Sequence, residues 1–317
     1  MKIHVIEPLA IKDSAIKEIE KKFREKGHVI RFFLDRNTDP DEIIRRCDGA
    51  DIVVIANLPF PAVCVESLPS LKLLAVAFTG VDHVDLDACE KKGIGVCNAS
   101  GYSTINVAEL TIGLIIDVMR NITTLDPVTR SGGTKEGFIG NDLAGKTVGI
   151  IGMGAIGQKV ARILHAFDCS LMAVKRKNRP LENELSIRYV EMDELLRESD
   201  IVTLHCPLTE STRHLIGEDE LKLMKSTAYL INTARGPVVD SVALTAALES
   251  GEIAGAGIDV FDRETPLNPD FPLLGLKNTV VTPHVAFATE EAFVRRAEIV
   301  VDNILSWIDG NPKNVIL

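Results

Sequence analysis

The chain has 317 residues, of which 35 are Lys or Arg and 45 are Asp or Glu, so its formal net charge is -10. Hydrophobic residues make up 46% of the sequence and charged residues 25%, a balance typical of folded globular proteins and not of disordered ones. An acidic chain also lacks the positive field of a general nucleic-acid-binding protein. At about 150 residues per domain, this length predicts two domains.

The cysteines and the apolar segments predict a cytoplasmic protein without a membrane partner. Six cysteines are spread through the chain with no C-x-x-C pair, which indicates reduced thiols in a reducing compartment. The first residues lack the apolar core of a signal peptide. The longest apolar stretch, 107–118, contains Glu109 and Asp117 and is too short to span a bilayer.

Short β-rich segments alternate with amphipathic ones, which predicts an α/β fold with mainly parallel sheets. In the N-terminal part, a helix is expected over 11–26, where Gly27 ends it. The strands of this part are expected at 2–7, 28–33, 51–56, 71–77 and 94–98.

A second series begins after an apolar helix at 107–119, and a final helix is expected over 290–309 because its apolar residues recur at helical spacing. We therefore expect two doubly wound parallel-sheet domains, one formed by residues 1–98 with 285–317 and the other by residues 99–284. The strands of the second domain are expected at 147–151, 170–174, 201–204, 228–232, 256–260 and 279–282.

A glycine-rich turn follows the first strand of the second domain. The order of strand, glycine turn and amphipathic helix is typical of a dinucleotide-binding site, and a turn without a ligand is the alternative. The first glycine permits the tight turn, the second lets the backbone approach a pyrophosphate, and the third allows close helix–strand packing. Amides at the helix start then face the anion. The turn consists of Gly152, Met153, Gly154, Ala155, Ile156 and Gly157.

A cationic run stands where an acidic residue would bind the ribose hydroxyls of NAD. That position lies at the end of the second strand of this domain, and it is occupied by Lys175, Arg176 and Lys177, with Arg179 close behind. Lys and Arg side chains pair with a 2′-phosphate, which a carboxylate would repel. The run predicts NADP as the cofactor, with NAD as the alternative if it is an ordinary solvated turn.

Three residues with ionisable side chains follow the last three strands at their carboxyl ends, where open α/β sheets bind ligands. They are Arg235, Glu264 and His284. These three residues belong to a set of sequence blocks by which the chain resembles the D-isomer-specific 2-hydroxyacid dehydrogenase family over nearly its whole length. The resemblance rests on blocks in a fixed order, which are 80–85 (GVDHVD), 107–109 (VAE), the glycine turn, 204–209 (LHCPLT), 234–236 (ARG), 259–264 (DVFDRE) and 283–284 (PH).

The resemblance implies catalytic roles that fit the chemistry of the residues. Arg235 would bind the substrate carboxylate and polarise the 2-keto oxygen, because a guanidinium forms planar bidentate pairs. His284 would give a proton to that oxygen as hydride arrives, since imidazole titrates near neutral pH. Glu264 would orient His284 and keep it protonated.

The resemblance also implies the remaining site residues and the architecture. We expect a flavodoxin-like substrate domain, a Rossmann dinucleotide-binding domain, a catalytic cleft between them and no metal. A homodimer is expected, in which helix 107–119 is a candidate interface unless it is buried within the monomer. Further cofactor-binding residues would be Cys206, Pro207, Thr212, Thr233, Ala234 and Asp259, and substrate-binding residues would be Phe78, Thr79, Gly80, Tyr102, Arg235 and Phe287.

The substrate remains open at this point. Tyr102 and Phe287 resemble the D-lactate dehydrogenase subgroup and could wall an apolar pocket for pyruvate or a longer 2-keto acid. The cationic run resembles NADPH-linked glyoxylate and hydroxypyruvate reductases. The main prediction is an NADP-dependent reductase of glyoxylate, hydroxypyruvate or pyruvate. The alternatives are an NAD-dependent enzyme similar to D-lactate dehydrogenase, a nucleotide-sensing corepressor-like protein, and a dinucleotide enzyme of another reaction class.

Overall fold

The computed structural model describes residues 1–175, 185–263 and 266–317. The strands are β1 (Lys2–Val5), β2 (Val29–Phe32), β3 (Ile52–Ile55), β4 (Leu73–Val76), β5 (Gly95–Asn98), β6 (Thr147–Ile151), β7 (Ser170–Val174), β8 (Arg188–Val190), β9 (Ile201–Leu204), β10 (Tyr229–Asn232), β11 (Gly255–Ile258) and β12 (Thr279–Val281).

Helices connect most of these strands, and short 3₁₀ turns occur at Gly236–Val238 and Pro272–Gly275. In the described residues, no helix is both long and apolar enough to cross a bilayer. The helices are α1 (Asp13–Glu25), α2 (Pro40–Cys47), α3 (Ala62–Glu66), α4 (Leu86–Lys92), α5 (Thr104–Arg120), α6 (Ile122–Arg130), α7 (Ala155–Ala166), α8 (Met192–Glu198), α9 (Glu218–Leu223), α10 (Ser241–Ser250) and α11 (Glu290–Ile308).

The chain divides into two compact units. Unit 1 contains residues 1–103 and 288–317, and unit 2 contains residues 104–287. The division falls after Ser103 and Phe287, whereas the sequence analysis placed it after residues 98 and 284. Local hydrogen bonds explain the difference, because Tyr102 is bonded to Ala99 and to α11, while residues 284–286 are bonded to the end of β11.

Unit 1 contains a parallel sheet with the strand order β2-β1-β3-β4-β5. This order is that of flavodoxin-like folds, as predicted. Strands β3 and β4 are buried along their whole length, which agrees with their continuous apolar sequences IVVI and LLAV.

Unit 2 contains a parallel sheet with the order β12-β11-β10-β9-β6-β7-β8. The strand order reverses between β6 and β9, and this switch point is where doubly wound sheets bind dinucleotides. The prediction of a Rossmann domain is confirmed. Buried apolar clusters cover the sheet, and one of them includes nine α5 and α7 residues: Ala108, Ile112, Leu114, Ile115, Val118, Met119, Val160, Ala161 and Leu164.

Candidate active site

The glycine turn between β6 and α7 has the local geometry that the motif requires. Gly152 has φ +107°, and a β-carbon there would lie 2.5 Å from the carbonyl carbon of His205. A β-carbon on Gly157 would lie 2.0 Å from the Gly152 oxygen, so the helix packs tightly on the turn. Gly154 instead faces open space and caps α7. The residues present therefore fit a pyrophosphate at the amides of Ala155 and Ile156.

The segment after β9 forms the other side of the switch point. The His205 amide donates to the Ile151 carbonyl at 2.7 Å, which holds the two strand ends together. The His205 ring bonds Thr203 Oγ1 at 3.0 Å, and burial lowers the pKa of the imidazole to about 3. This histidine is therefore neutral near pH 7. It adds no charge to the predicted cofactor-binding residues beside it, Cys206 and Pro207.

Thr212 closes the turn that carries Pro207. Its hydroxyl donates to the Pro207 carbonyl at 2.7 Å and accepts from the Thr209 amide at 2.8 Å. Both capacities of the hydroxyl are thus used within the turn. The structure gives Thr212 a role in shaping this segment, and its contact with a cofactor stays a prediction.

Lys175 is the described member of the cationic run, and Arg176 and Lys177 lie outside the described residues. The Lys175 ammonium lies 3.4 Å from the Glu191 carboxylate, in an ion pair whose side chains are 55% and 76% exposed. Glu191 follows β8, a strand that the sequence analysis missed. An exposed pair of this kind stabilises the fold by well under about 1 kcal/mol, so Lys175 remains able to pair with a ligand.

The Arg235 turn follows β10 and is held by its neighbours. The side chain of Asn232 donates to the Arg235 carbonyl at 2.9 Å and accepts from the Ala234 amide at 3.0 Å. The Thr233 hydroxyl bonds that of Thr111 on α5 at 2.9 Å. These buried polar groups fix the backbone from which the half-buried Arg235 side chain extends. Sequence reasoning had not identified Asn232 or Thr111.

The His284 turn follows β12 and is built around the buried carboxylate of Asp259 at the end of β11. That carboxylate accepts from Thr282 Oγ1 at 2.6 Å, from the Val285 amide at 2.9 Å and from the Ala286 amide at 3.0 Å. His284 itself has φ +54°, a left-handed conformation that is uncommon for a residue with a β-carbon. The structure therefore shows Asp259 as the anchor of this turn, and its predicted cofactor contact remains a prediction.

Two further contacts hold the same turn within unit 2. The Asn106 side chain, in the first turn of α5, donates to the Ala286 carbonyl at 3.0 Å. The rings of His284 and Phe287 pack edge to face, with centroids 5.3 Å apart. Phe287 was expected to wall the substrate pocket, and the structure shows it packed against the predicted acid–base residue.

The sheet thus brings the turns of Arg235 and His284 to one edge, because parallel strands have their carboxyl ends together. They follow β10 and β12, with Asp259 following β11 between them. Glu264, the third predicted catalytic residue, lies outside the described residues.

The predicted substrate-binding residues of unit 1 follow β4 and β5. Phe78 is 6% exposed and its ring lies 6.0 Å from that of Tyr102, so Phe78 packs inward. The Thr79 carbonyl accepts from Asn98 at 2.6 Å, and its hydroxyl lies 3.4 Å from that of Ser103. Gly80 is half-buried beside them. Within unit 1, these contacts join the two segments, and the side chains of Phe78 and Tyr102 lie in the interior, with Tyr102 only 1% exposed.

Metal ligation and disulfide bonding find no support in the part of the chain that is described. None of its residues form a group of three or more His, Cys, Asp or Glu that could hold a metal ion. All six cysteines lie in this part and are free thiols, five of them buried.

Comparison with known proteins gives a consistent result. Residues 112–286 match the model of the NAD-binding domain of D-isomer-specific 2-hydroxyacid dehydrogenases. The chain is 38% identical to a glyoxylate reductase of Thermococcus litoralis, with 100% of this chain and 97% of that protein covered. It is 36% identical to a hydroxypyruvate reductase of Blautia hydrogenotrophica, with 88% of each covered.

A solved structure similar to the whole chain is an acyclic imino acid reductase in complex with NADPH and D-Arg. It superimposes with a TM-score of 0.91 at 33% identity, with 100% of both chains covered. The matched model and these relatives establish an oxidoreductase that uses a nicotinamide cofactor and acts on the CH–OH group of small 2-hydroxy acids. The chain belongs to the D-isomer-specific 2-hydroxyacid dehydrogenase family.

Proposed function

We propose that the protein is an NADP-dependent reductase of a small 2-keto acid, with glyoxylate and hydroxypyruvate as its best substrates. The observation that carries this proposal is the placement of Arg235 and His284 after β10 and β12, on the edge of the sheet that also bears the glycine turn. Curated relatives named glyoxylate reductase and hydroxypyruvate reductase support this substrate class.

The proposed mechanism assigns one task to each residue. Arg235 binds the substrate carboxylate through its planar guanidinium and draws electron density from the 2-keto oxygen. His284 donates a proton to that oxygen, and Glu264 keeps the imidazole oriented and charged. The amides that follow Gly154 would hold the pyrophosphate of the dinucleotide, which would supply the hydride when bound.

The preference for NADP rests on the cationic run. Lys175, Arg176 and Lys177 follow β7, at the position where a ribose phosphate would lie. A 2′-phosphate would pair with these cations by charge-assisted hydrogen bonds. The NADPH complex of the structurally similar imino acid reductase supports the same choice.

The experiment measures the oxidation of NADPH and of NADH with glyoxylate, hydroxypyruvate, pyruvate and a branched 2-keto acid. We expect turnover with the first two and a higher kcat/KM with NADPH. Absence of turnover with all four acids would refute the reductase, and equal or better use of NADH would refute the cofactor assignment.

Charge-removal variants test the cofactor assignment separately. Lys175→Ala and Arg176→Ala should each raise KM for NADPH by about tenfold and leave KM for NADH unchanged, because each removes a charge-assisted bond. Lys277→Ala is the matched control, since this exposed lysine lies near the amino end of β12, on the opposite edge of the sheet. An equal effect of all three variants would contradict the assignment.

We also propose a cytoplasmic homodimer. Most of α5, the expected interface helix, is buried within unit 2, so it offers little surface to a partner. A better candidate is the segment 122–142, where α6 has no buried residue and Ile139 is 93% exposed. Light scattering should give the mass of a dimer, and Ile139→Glu should lower it. The six free thiols favour a reducing compartment.

A further inference from the structure

Helix α5 carries two buried polar side chains that reach different turns of the candidate site. The Asn106 side-chain amide donates to the Ala286 carbonyl, in the turn of the predicted acid–base residue, at 3.0 Å. The Thr111 hydroxyl lies 2.9 Å from the hydroxyl of Thr233, in the turn of the predicted carboxylate-binding residue. The Asn106 and Thr111 side chains are enclosed, with only 4% and 0% of each residue exposed. One helix is therefore bonded to both turns.

Asn106 is an unfavourable residue for packing alone. It lies in the first turn of α5, and its Oδ1 has no hydrogen-bond partner among the residues that the structure describes. A buried acceptor without a donor costs free energy, which an aliphatic side chain of similar size would avoid. What the amide supplies in return is the bond to Ala286. Asn106 therefore holds a turn in which His284 has the left-handed φ of +54°.

The hydrogen bonds of Thr111 have a fixed direction. Its hydroxyl also lies 2.8 Å from the Val107 carbonyl, one helical turn earlier, and a carbonyl can only accept. Because a hydroxyl has a single hydrogen, Thr111 donates to that carbonyl and accepts from Thr233. A valine at this position would have the same shape and neither bond. The Thr233 side chain is thus tied to the helix, which fixes the start of the backbone that leads to Arg235.

Helix α5 lies close against the sheet, so it is a rigid reference for both turns. It packs on β10, β11 and β12, and the two turns follow the first and the last of these strands. On β11, a β-carbon at Gly257 would lie 3.1 Å from Leu114 Cβ, so the absence of a side chain lets the helix approach the strand directly. Asn106 and Thr111 are five positions apart, which is about 7.5 Å along a helix axis.

We propose that α5 sets the separation between the acid–base turn and the carboxylate-binding turn. Asn106 is the positioning residue for His284. Thr111 is the positioning residue for Arg235. This inference rests on the proposed function, in which His284 gives the proton and Arg235 binds the acid, and all four residues belong to unit 2. Loss of the asparagine should therefore slow proton donation, and loss of the threonine should weaken binding of the acid.

The first test is Asn106→Leu, which keeps the size of the side chain and removes both the donor and the unpaired acceptor. The variant should stay near wild-type stability, because relief of the unpaired oxygen offsets the lost bond. Its kcat with hydroxypyruvate and NADPH should fall by about tenfold, because a displaced acid transfers its proton less well. The solvent deuterium isotope effect on kcat should rise, since proton donation then limits the rate. KM for the acid and the NADPH affinity, measured by fluorescence, should stay near their wild-type values.

The second test is Thr111→Val, which keeps the shape of the side chain and removes the hydroxyl. KM for hydroxypyruvate should rise by about tenfold, because a displaced guanidinium binds the carboxylate less well. The solvent isotope effect on kcat should stay at the wild-type value. A loss of NADPH affinity with an unchanged KM for the acid would mean that Thr111 serves Thr233 as a cofactor-binding residue, and it would overturn the assignment.

Two control variants separate positioning from a general loss of structure. Asn278→Leu removes another asparagine of unit 2 whose side chain donates to backbone carbonyls, those of Leu248 and Ala254, at the amino end of β12. Ser199→Ala removes a buried hydroxyl that, like Thr111, donates to the carbonyl four residues earlier. Both variants should lose stability in urea unfolding and keep the wild-type kcat, KM and isotope effect.

The outcomes are distinct from those of the proposed function. If the wild-type protein turns over none of the 2-keto acids, that function is refuted and this inference with it. If the wild-type protein is active and Asn106→Leu keeps its kcat and isotope effect, or the controls change in the same way, the inference alone is refuted. If Asn106→Leu does not fold, an unchanged KM for the acid in Thr111→Val has the same meaning.

Discussion

Replacing Asp259 by alanine should disable the enzyme by releasing the His284 turn. The carboxylate accepts hydrogen bonds from the Thr282 hydroxyl and from the amides of Val285 and Ala286, and it is 0% exposed. Alanine would leave the buried Ala286 amide and the part-buried Val285 amide without their acceptor, at a cost of about 1–3 kcal/mol for the buried one and less for the other. We expect the free energy of unfolding to fall by about 3 kcal/mol, since water entering the space left by the side chain recovers part of the loss.

The variant should lose most of its activity even where it remains folded. His284 has φ +54°, a conformation that costs about 1 kcal/mol or more and persists only while its surroundings impose it. Once Asp259 is gone, the turn can relax and move the imidazole. A displacement of about 1 Å can lower kcat by about 100-fold, and we expect an effect of this size.

The assay combines urea unfolding, steady-state kinetics and NADPH binding by fluorescence. Asp240→Ala is the control, because Asp240 accepts from two amides, those of Val242 and Ala243, at the start of α10. This variant should lose about 1 kcal/mol of stability and keep the wild-type kcat. If Asp259→Ala keeps the wild-type kcat, the anchoring role is wrong. If it mainly weakens NADPH binding, the cofactor role predicted from the sequence is the correct one.

Other predictions concern the glycine turn and pH. Gly154→Ala should fold normally but lose affinity for NADPH, because its β-carbon would occupy the open space at the helix start, whereas Gly157→Ala should lose stability, because its β-carbon would lie 2.0 Å from the Gly152 oxygen. His205 has a folded pKa of about 3, below its unfolded value, so it binds a proton more readily in the unfolded chain. The stability that follows from this low pKa is complete above the unfolded pKa and is lost as pH falls toward about 3. From pH 7 to pH 5 the free energy of unfolding should fall by at most about 2 kcal/mol, because the residue is only half-buried and solvent weakens the effect.

Matched comparisons decide these predictions. For the glycines, Gly157→Ala should lower the temperature of thermal unfolding, whereas Gly154→Ala should weaken NADPH binding. A loss of affinity without loss of stability in Gly157→Ala would contradict the packing argument. For pH, urea unfolding at both pH values should show a smaller difference in His205→Gln than in the wild-type protein. His165→Gln removes an exposed histidine of α7 and should leave the difference unchanged.

Much of the fold can be predicted because its strands are short, buried and apolar. Strands β6, β7 and β9 have the predicted bounds, and each is bordered by a turn or a helix start. The edge strand β8 was missed because it has three residues, of which one is buried, and so carries no alternating or apolar pattern. For this reason the ion pair between Lys175 and the Glu191 carboxylate, which follows β8, was not predicted.

The candidate site shows a similar division. Its glycines and the residues at strand ends can be found from the sequence, because a motif and its place in the chain indicate the chemistry. The supporting contacts cannot, since they join distant positions. Asn106 and Ala286, which form a hydrogen bond, are 180 residues apart in the sequence. In the sequence, Arg296 is one of several charges on an amphipathic helix, and only the fold shows that it lies beside the ring of Tyr102.

The central claim is that His284 donates a proton to a 2-keto acid while the nicotinamide cofactor is oxidised. The most direct measurement follows the oxidation of NADPH with hydroxypyruvate by the wild-type protein and by His284→Ala, with NADPH affinity measured in parallel. The account predicts turnover by the wild-type protein, none by the variant, and nearly equal affinity for NADPH. Equal turnover by the two proteins would contradict it.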